Sequence, residues 1–167
     1  FGLKAAAVVG VASQRTKLQL LDYRSDLLVR DMEGSPAACL GQLTQGIFDA
    51  VIVPAAEVQL AALDIAAFSV VRFNPRELIP APGQGVVAFQ CCEYDRETRR
   101  LIKLIHHPGV SAITNVERRL LQLLGEEAHL SLGAYCERDI MGHYHLWAAW
   151  PGNTGRMLRR EGLSQST

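Results

Sequence analysis

Three short apolar runs, Ala5 to Val9, Leu27 to Val29 and Ala50 to Val53, are separated by stretches whose apolar residues recur at helical spacing. A strand buried on both faces reads as a continuous apolar run, whereas a covering helix needs only a stripe. Their alternation therefore predicts an α/β layer built on a parallel sheet. Gly10 closes the first run and delivers a loop to a helix, with Ser13 as its predicted N-cap and Leu18 and Leu21 on one face. Cys39, Leu40 and Leu43 mark a second helix stopped by Gly46, residues 55–62 suit a third, and residues 68–73 read as a returning strand.

Pro75, Pro80 and Pro82, with Gly83 and Gly85, then break every periodicity, as a hinge or interdomain crossing does. Beyond them Val86 to Cys92 is apolar and β-prone, and residues 96–105 have helical spacing. The run His106-His107-Pro108-Gly109 reads as a turn, and residues 112–124 as an amphipathic helix. Residues 132–136 and 143–150 read as two strands of a small antiparallel sheet.

With 167 residues, 49% of them hydrophobic, the chain can bury one large or two small cores. Lys plus Arg and Asp plus Glu both number 17, so no net field draws nucleic acid or an anionic membrane, and neither is expected as a partner. The longest apolar runs are interrupted well short of a bilayer span. Four cysteines without framework spacing, two adjacent at Cys91 and Cys92, point to a reducing compartment, the cytoplasm or an organelle stroma. Apolar periodicity is already under way just after Phe1, so the start is expected not to be a natural one.

Five segments in order carry a family resemblance: Val9-Gly10-Val11-Ala12-Ser13-Gln14-Arg15, Gly46 to Val53, Pro80-Ala81-Pro82-Gly83-Gln84-Gly85, Glu117-Arg118 and Leu132-Gly133-Ala134-Tyr135. Together they resemble the porphobilinogen deaminase, or hydroxymethylbilane synthase, family, over nearly the whole chain. The resemblance implies a periplasmic-binding-protein-like α/β lobe followed by a small α/β C-terminal domain with an antiparallel sheet. Residues 1–82 would be the family's second lobe, 83–105 the hinge and the segment returning to a first lobe absent here, and 106–167 a truncated third domain. The family condenses porphobilinogen head to tail onto a thioether-linked dipyrromethane cofactor. Such a polyanion is held by arginine forks, which match carboxylates bidentately.

Most positions matching those forks differ. Glu33 and Cys39 stand where the resemblance places cofactor-binding arginines, and Leu60 replaces another. Ala128 occupies the attachment cysteine's place, and no common residue substitutes for that sulfur. The resemblance therefore implies no catalytic residue and no bound dipyrromethane, with Ser13, Arg15 and Gln84 as residual anion or cofactor contacts. It leaves three readings: an inactive deaminase-like chain, a working synthase completed by sequence outside this chain, or a module binding a small anionic or pyrrole ligand or a protein.

Each candidate has a plainer reading beside it. Ser13 can be only a helix cap, and Pro80 to Gly85 only a hinge. Cys136 could replace the lost cysteine or be a small buried apolar residue. His143 and His145 alternate near Cys136, but no ligand-spaced partner set accompanies them, so no metal is expected. Glu126 and Glu127 read as solvated, and Glu117 as paired locally beside Arg118 and Arg119. An uncovered strand at residues 86–92 would need a protein partner or self-association to cover it.

Overall fold

The computed structural model describes residues 2–124, 131–152 and 157–164. Its first layer is β1 (Val8–Val11), α1 (Gln14–Tyr23), β2 (Leu28–Asp31), α2 (Pro36–Thr44), β3 (Ala50–Ile52) and α3 (Ala55–Leu60). The strands form a parallel sheet in the order β2-β1-β3, with Val9 beside both Val29 and Ala50. β1 is the central strand, and its Val9 and Val11 are essentially inaccessible. Leu20 of α1 packs with them, together with Ala7 and Leu27. The opposite face is covered by Cys39 of α2, with Met32 and Phe48. Each such Val, Leu or Phe contributes roughly 1.5–3 kcal/mol when taken fully out of water.

Local signals explain where the helices begin and end. The Ser13 hydroxyl accepts from the Thr16 N–H, and Ser35 accepts from Ala38 ahead of Pro36, whose missing N–H costs nothing in a first turn. Gly46, at φ 73°, ends the α2 region in the left-handed conformation that glycine adopts without strain.

Next along the chain come α4 (Arg96–Ile105), which has no buried residue, and then a second layer of α5 (Pro108–Leu124), β4 (Gly133–Arg138), β5 (Tyr144–Pro151) and β6 (Met157–Ser164). The three strands make an antiparallel meander, β4-β5-β6. The fold class is thus mixed α/β, a parallel layer followed by a small antiparallel sheet, as expected.

Four local expectations are corrected, and one strand is added. Residues 68–73 and 86–92 are not strands; Val70, Val71, Val87 and Phe89 are all exposed, and β-propensity without a neighbouring ladder does not make a strand. The buried stripe of α1 is Arg15, Thr16, Gln19 and Leu20, not Leu18 and Leu21, because polar side chains take up backbone groups beneath it. Pro108 and Gly109 open α5 rather than forming a turn. β6 was not foreseen, since Met157–Ser164 holds two arginines and a glutamate and hides its period-2 pattern.

The two layers meet at Ile79, which packs against Trp147 and Ala149 of β5. Gly133 of β4 lies so close that an added Cβ would stand 2.8 Å from the Ile79 carbonyl oxygen. Gly162 of β6 has nothing within 4 Å of that position. Gly133→Ala should therefore cost about 1–3 kcal/mol by urea unfolding, as overpacking does, while Gly162→Ala should stay within about 0.5 kcal/mol of the parent. Equal effects from the two would contradict this packing.

Candidate functional site

Open parallel sheets bind ligands beyond the carboxyl ends of their strands, where the chain reverses its direction of winding. In the order β2-β1-β3 that point lies between β1 and β3. A cleft of about 750 Å³ opens there, bounded by Ala12 and Ser13 after β1 and by Val53 and Pro54 after β3. Its far wall is the extended segment 65–73, and its floor includes residues 80–84.

All three residual contact residues, Ser13, Arg15 and Gln84, line this cleft. Ser13 is occupied as a cap and also shares a hydrogen bond with the Thr16 hydroxyl. Arg15 is buried and points inward: Nη1 donates to the Ile79 carbonyl at 2.7 Å and Nη2 to Gln84 Oε1 at 3.0 Å. Among the described residues no carboxylate forms an ion pair with it, and burial pulls its guanidinium down to about 10. Gln84 Oε1 accepts a second bond from the Ala81 N–H, which closes the turn.

Gln19, fully buried one turn along α1, completes the arrangement. Its Nε2 donates to the Ile79 carbonyl and its Oε1 accepts from the Ile79 N–H, both at 2.9 Å. On the far side, Glu117 Oε2 accepts from the Gly83 N–H and Oε1 from the Cys136 N–H. Glu117 is thus a buried bridge between the proline-glycine segment and β4, not the local arginine partner expected. Burial raises its pKa, opposed by those two backbone hydrogen bonds. Gln19 was missed because a glutamine on a helix carries no burial signal in sequence, and only its spacing of four from Arg15 hints at a shared face.

The positions where arginines were expected present other chemistry. Glu33 is exposed, Leu60 is exposed at the end of α3, and Cys39 is turned into the core beside Met32 and Phe48. Burial pushes the Cys39 thiol up, so it is a poor nucleophile. Cys136 is likewise buried, and burial, then the charges of Glu117 and Glu137, push its thiol up to about 11. Ala128, Glu126 and Glu127 lie outside the described residues.

The small sheet also sets the histidines apart from Cys136. Glu137 pairs with His145 and Tyr135 with Trp147, while Cys136 pairs with Leu146 on the opposite face. His145 Nε2 donates to Asp139 Oδ2 at 2.9 Å and His143 Nδ1 lies 3.4 Å from the same oxygen. The His145 hydrogen bond, with help from the His143 and Met141 N–H groups, holds the Asp139 carboxyl down to about 2. These contacts close the β4–β5 turn, and no metal-holding group of His, Cys, Asp and Glu occurs among the described residues. Nor is any described helix long and apolar enough to cross a membrane.

Among the described residues the charged lining of this cleft is Arg15, Arg72 and Glu57, and Arg15 is already bonded to the Ile79 carbonyl and to Gln84.

Residues 2–100 match the family model described as porphobilinogen deaminase, dipyromethane cofactor binding domain. Porphobilinogen deaminases of Francisella tularensis subsp. novicida strain U112 and subsp. holarctica strain LVS are each 36% identical over 138 residues, 82% of this chain. That match covers 45% of each relative, so the chain spans less than half their length.

Gln19→Leu should cost about 2–3 kcal/mol in urea unfolding, because it strips the buried Ile79 N–H of its acceptor. Exposed Gln59→Leu is the control and should change stability by under about 0.5 kcal/mol. A Gln19→Leu protein as stable as its parent would remove the basis for the junction described above.

Proposed function

The chain belongs to the porphobilinogen deaminase family, and from that premise we propose that it is a deaminase-like module of tetrapyrrole-pathway ancestry that does not itself carry out porphobilinogen condensation. The observation that carries this reading is that none of the three positions the resemblance assigns to ligand-binding arginines is a cation in this sequence. Where polycarboxylate binding needs guanidinium forks, this sequence offers an exposed Glu33, a core-facing Cys39 and an exposed Leu60. A carboxylate ligand brought near Glu33 is repelled rather than paired. Ala128 in the attachment position has no sulfur from which a thioether could form. Neither buried thiol is suited to replace it, since burial and, at Cys136, the neighbouring Glu117 and Glu137 disfavour the thiolate.

Residues 1–82 in this reading correspond to the family's second lobe, 83–105 to the crossing segment, and 106–167 to its small third domain. The cytoplasm or an organelle stroma is the proposed compartment.

The test is intact mass after incubation with porphobilinogen and with preformed hydroxymethylbilane, paired with an acid Ehrlich assay for bound pyrrole. An unchanged mass and a negative assay are expected. A pyrrole adduct would falsify the inactive reading, with peptide mapping to show which nucleophile formed it.

One observation favours a second reading, in which sequence outside this chain completes a larger assembly. Val87, Phe89, Leu101, Leu104 and Ile105 are all more than half exposed, and residues 86–92 form no ladder. α4 carries Arg96, Arg99, Arg100 and Lys103 on one face and these leucines and isoleucine on the other, with no buried residue. Helices of this kind cover a partner surface. Alone, the chain should self-associate with rising concentration in sedimentation velocity, and Val87→Asp with Phe89→Asp should reduce that association. A strictly monomeric parent at about 100 μM would count against this surface being an interface.

A further inference from the structure

The cleft between β1 and β3 has a lining whose chemistry narrows what it can hold. Leu43, Val53, Val58, Phe68, Val71 and Leu78 supply most of its wall. A concave site of about 750 Å³ is within the range for drug-sized ligands, about 300–1,000 Å³. Its ionisable groups are two arginines and one glutamate, which leaves one net positive charge. Glu57 is exposed on the same wall and opposes any second anionic group on the ligand. Arg15 already spends two of its donors on Ile79 and Gln84, so Arg72 at the rim is the cation left to meet solvent or ligand.

We infer that this cleft accepts an apolar, ring-containing or branched molecule bearing at most one anionic group, and rejects polycarboxylates. A second carboxylate would find no second uncommitted guanidinium among the described residues, only neutral donors such as Ser69 and Gln59, which replace its water incompletely at a cost. Apolar surface, by contrast, gains from leaving water in proportion to the area covered. The inference rests on reading the lobe as a binding module without deaminase chemistry, and it names the ligand class of that same cleft.

Two naphthalene probes of nearly equal shape separate the terms. 1-Anilinonaphthalene-8-sulfonate carries one sulfonate, and N-phenyl-1-naphthylamine is neutral. Each is titrated into the ¹⁵N-labelled chain, as is porphobilinogen with its two carboxylates. Both naphthalenes should shift the amides of Val53, Val58, Ser69 and Gly83 saturably. Porphobilinogen should shift none of them at matched concentration. Arg72→Gln, on the exposed rim, should weaken the sulfonate probe several-fold and leave the neutral one unchanged. Val58→Asp should weaken both at least tenfold, with the spectrum of β4–β6 reporting that the chain remains folded.

Naphthalene shifts confined to residues 86–105 would overturn the inference, since the exposed apolar surface would then be the binding site. Reversible displacement of the probe by porphobilinogen would overturn the ligand class while leaving the inactive reading standing. A covalent pyrrole adduct, seen by mass, would instead remove that reading itself.

Discussion

The hold that α1 takes on the backbone of Ile79 organises the molecule. One residue has its N–H and carbonyl bonded by Gln19, and its carbonyl bonded again by Arg15. The adjacent Pro80 carbonyl accepts from the Ala134 N–H, and the Ile79 side chain packs into the small sheet. Leaving such a buried amide unpaired costs about 1–3 kcal/mol per group. The parallel layer, the proline-glycine segment and the antiparallel sheet therefore meet around this residue. Glu117 repeats the device from the other side, through Gly83 and Cys136.

That fastening decides what the cleft can do. An arginine on the first turn of a helix beside a strand end looks like an anion receptor, and the serine beside it like part of the same receptor. Here Ser13 satisfies the helix terminus and Arg15 the crossing segment. Two donors of Arg15 that would otherwise be offered to a ligand are spent on the fold. Arg72 is then the one other cation among the described residues that line the cleft, with Glu57 opposing it. Arg159 and Arg76 are spent in the same way: Arg159 donates to the Glu77 carbonyl and lies over Tyr23, while Arg76 pairs with Glu137 and lies over Trp147.

The sequence made much of the fold legible, for identifiable reasons. The apolar run at β1 and the Ser13 cap follow from burial on both faces and from an orphan N–H group, which are local requirements; β2 and β3 are the less buried flanking strands. The strands expected at residues 68–73 and 86–92 depend on a neighbouring ladder, which no propensity supplies. The buried polar stripe of α1 was hidden because Arg15 and Gln19 read as solvent-facing until the backbone they bond is known. Glu117 misled for the same reason, since two adjacent arginines offer a nearer partner on paper than two backbone amides far away in sequence. At the site, the residue replacements were readable directly, but the commitment of Arg15 was not.

The central claim is that Ile79 is a fixed junction rather than a hinge, and native-state hydrogen exchange at its amide tests it most directly. The account predicts that the Ile79 N–H exchanges as slowly as those of Val9 and Val11, through global unfolding. Exchange as fast as that of the exposed Val87 amide would contradict it, and with it the assignment of Arg15 to the fold.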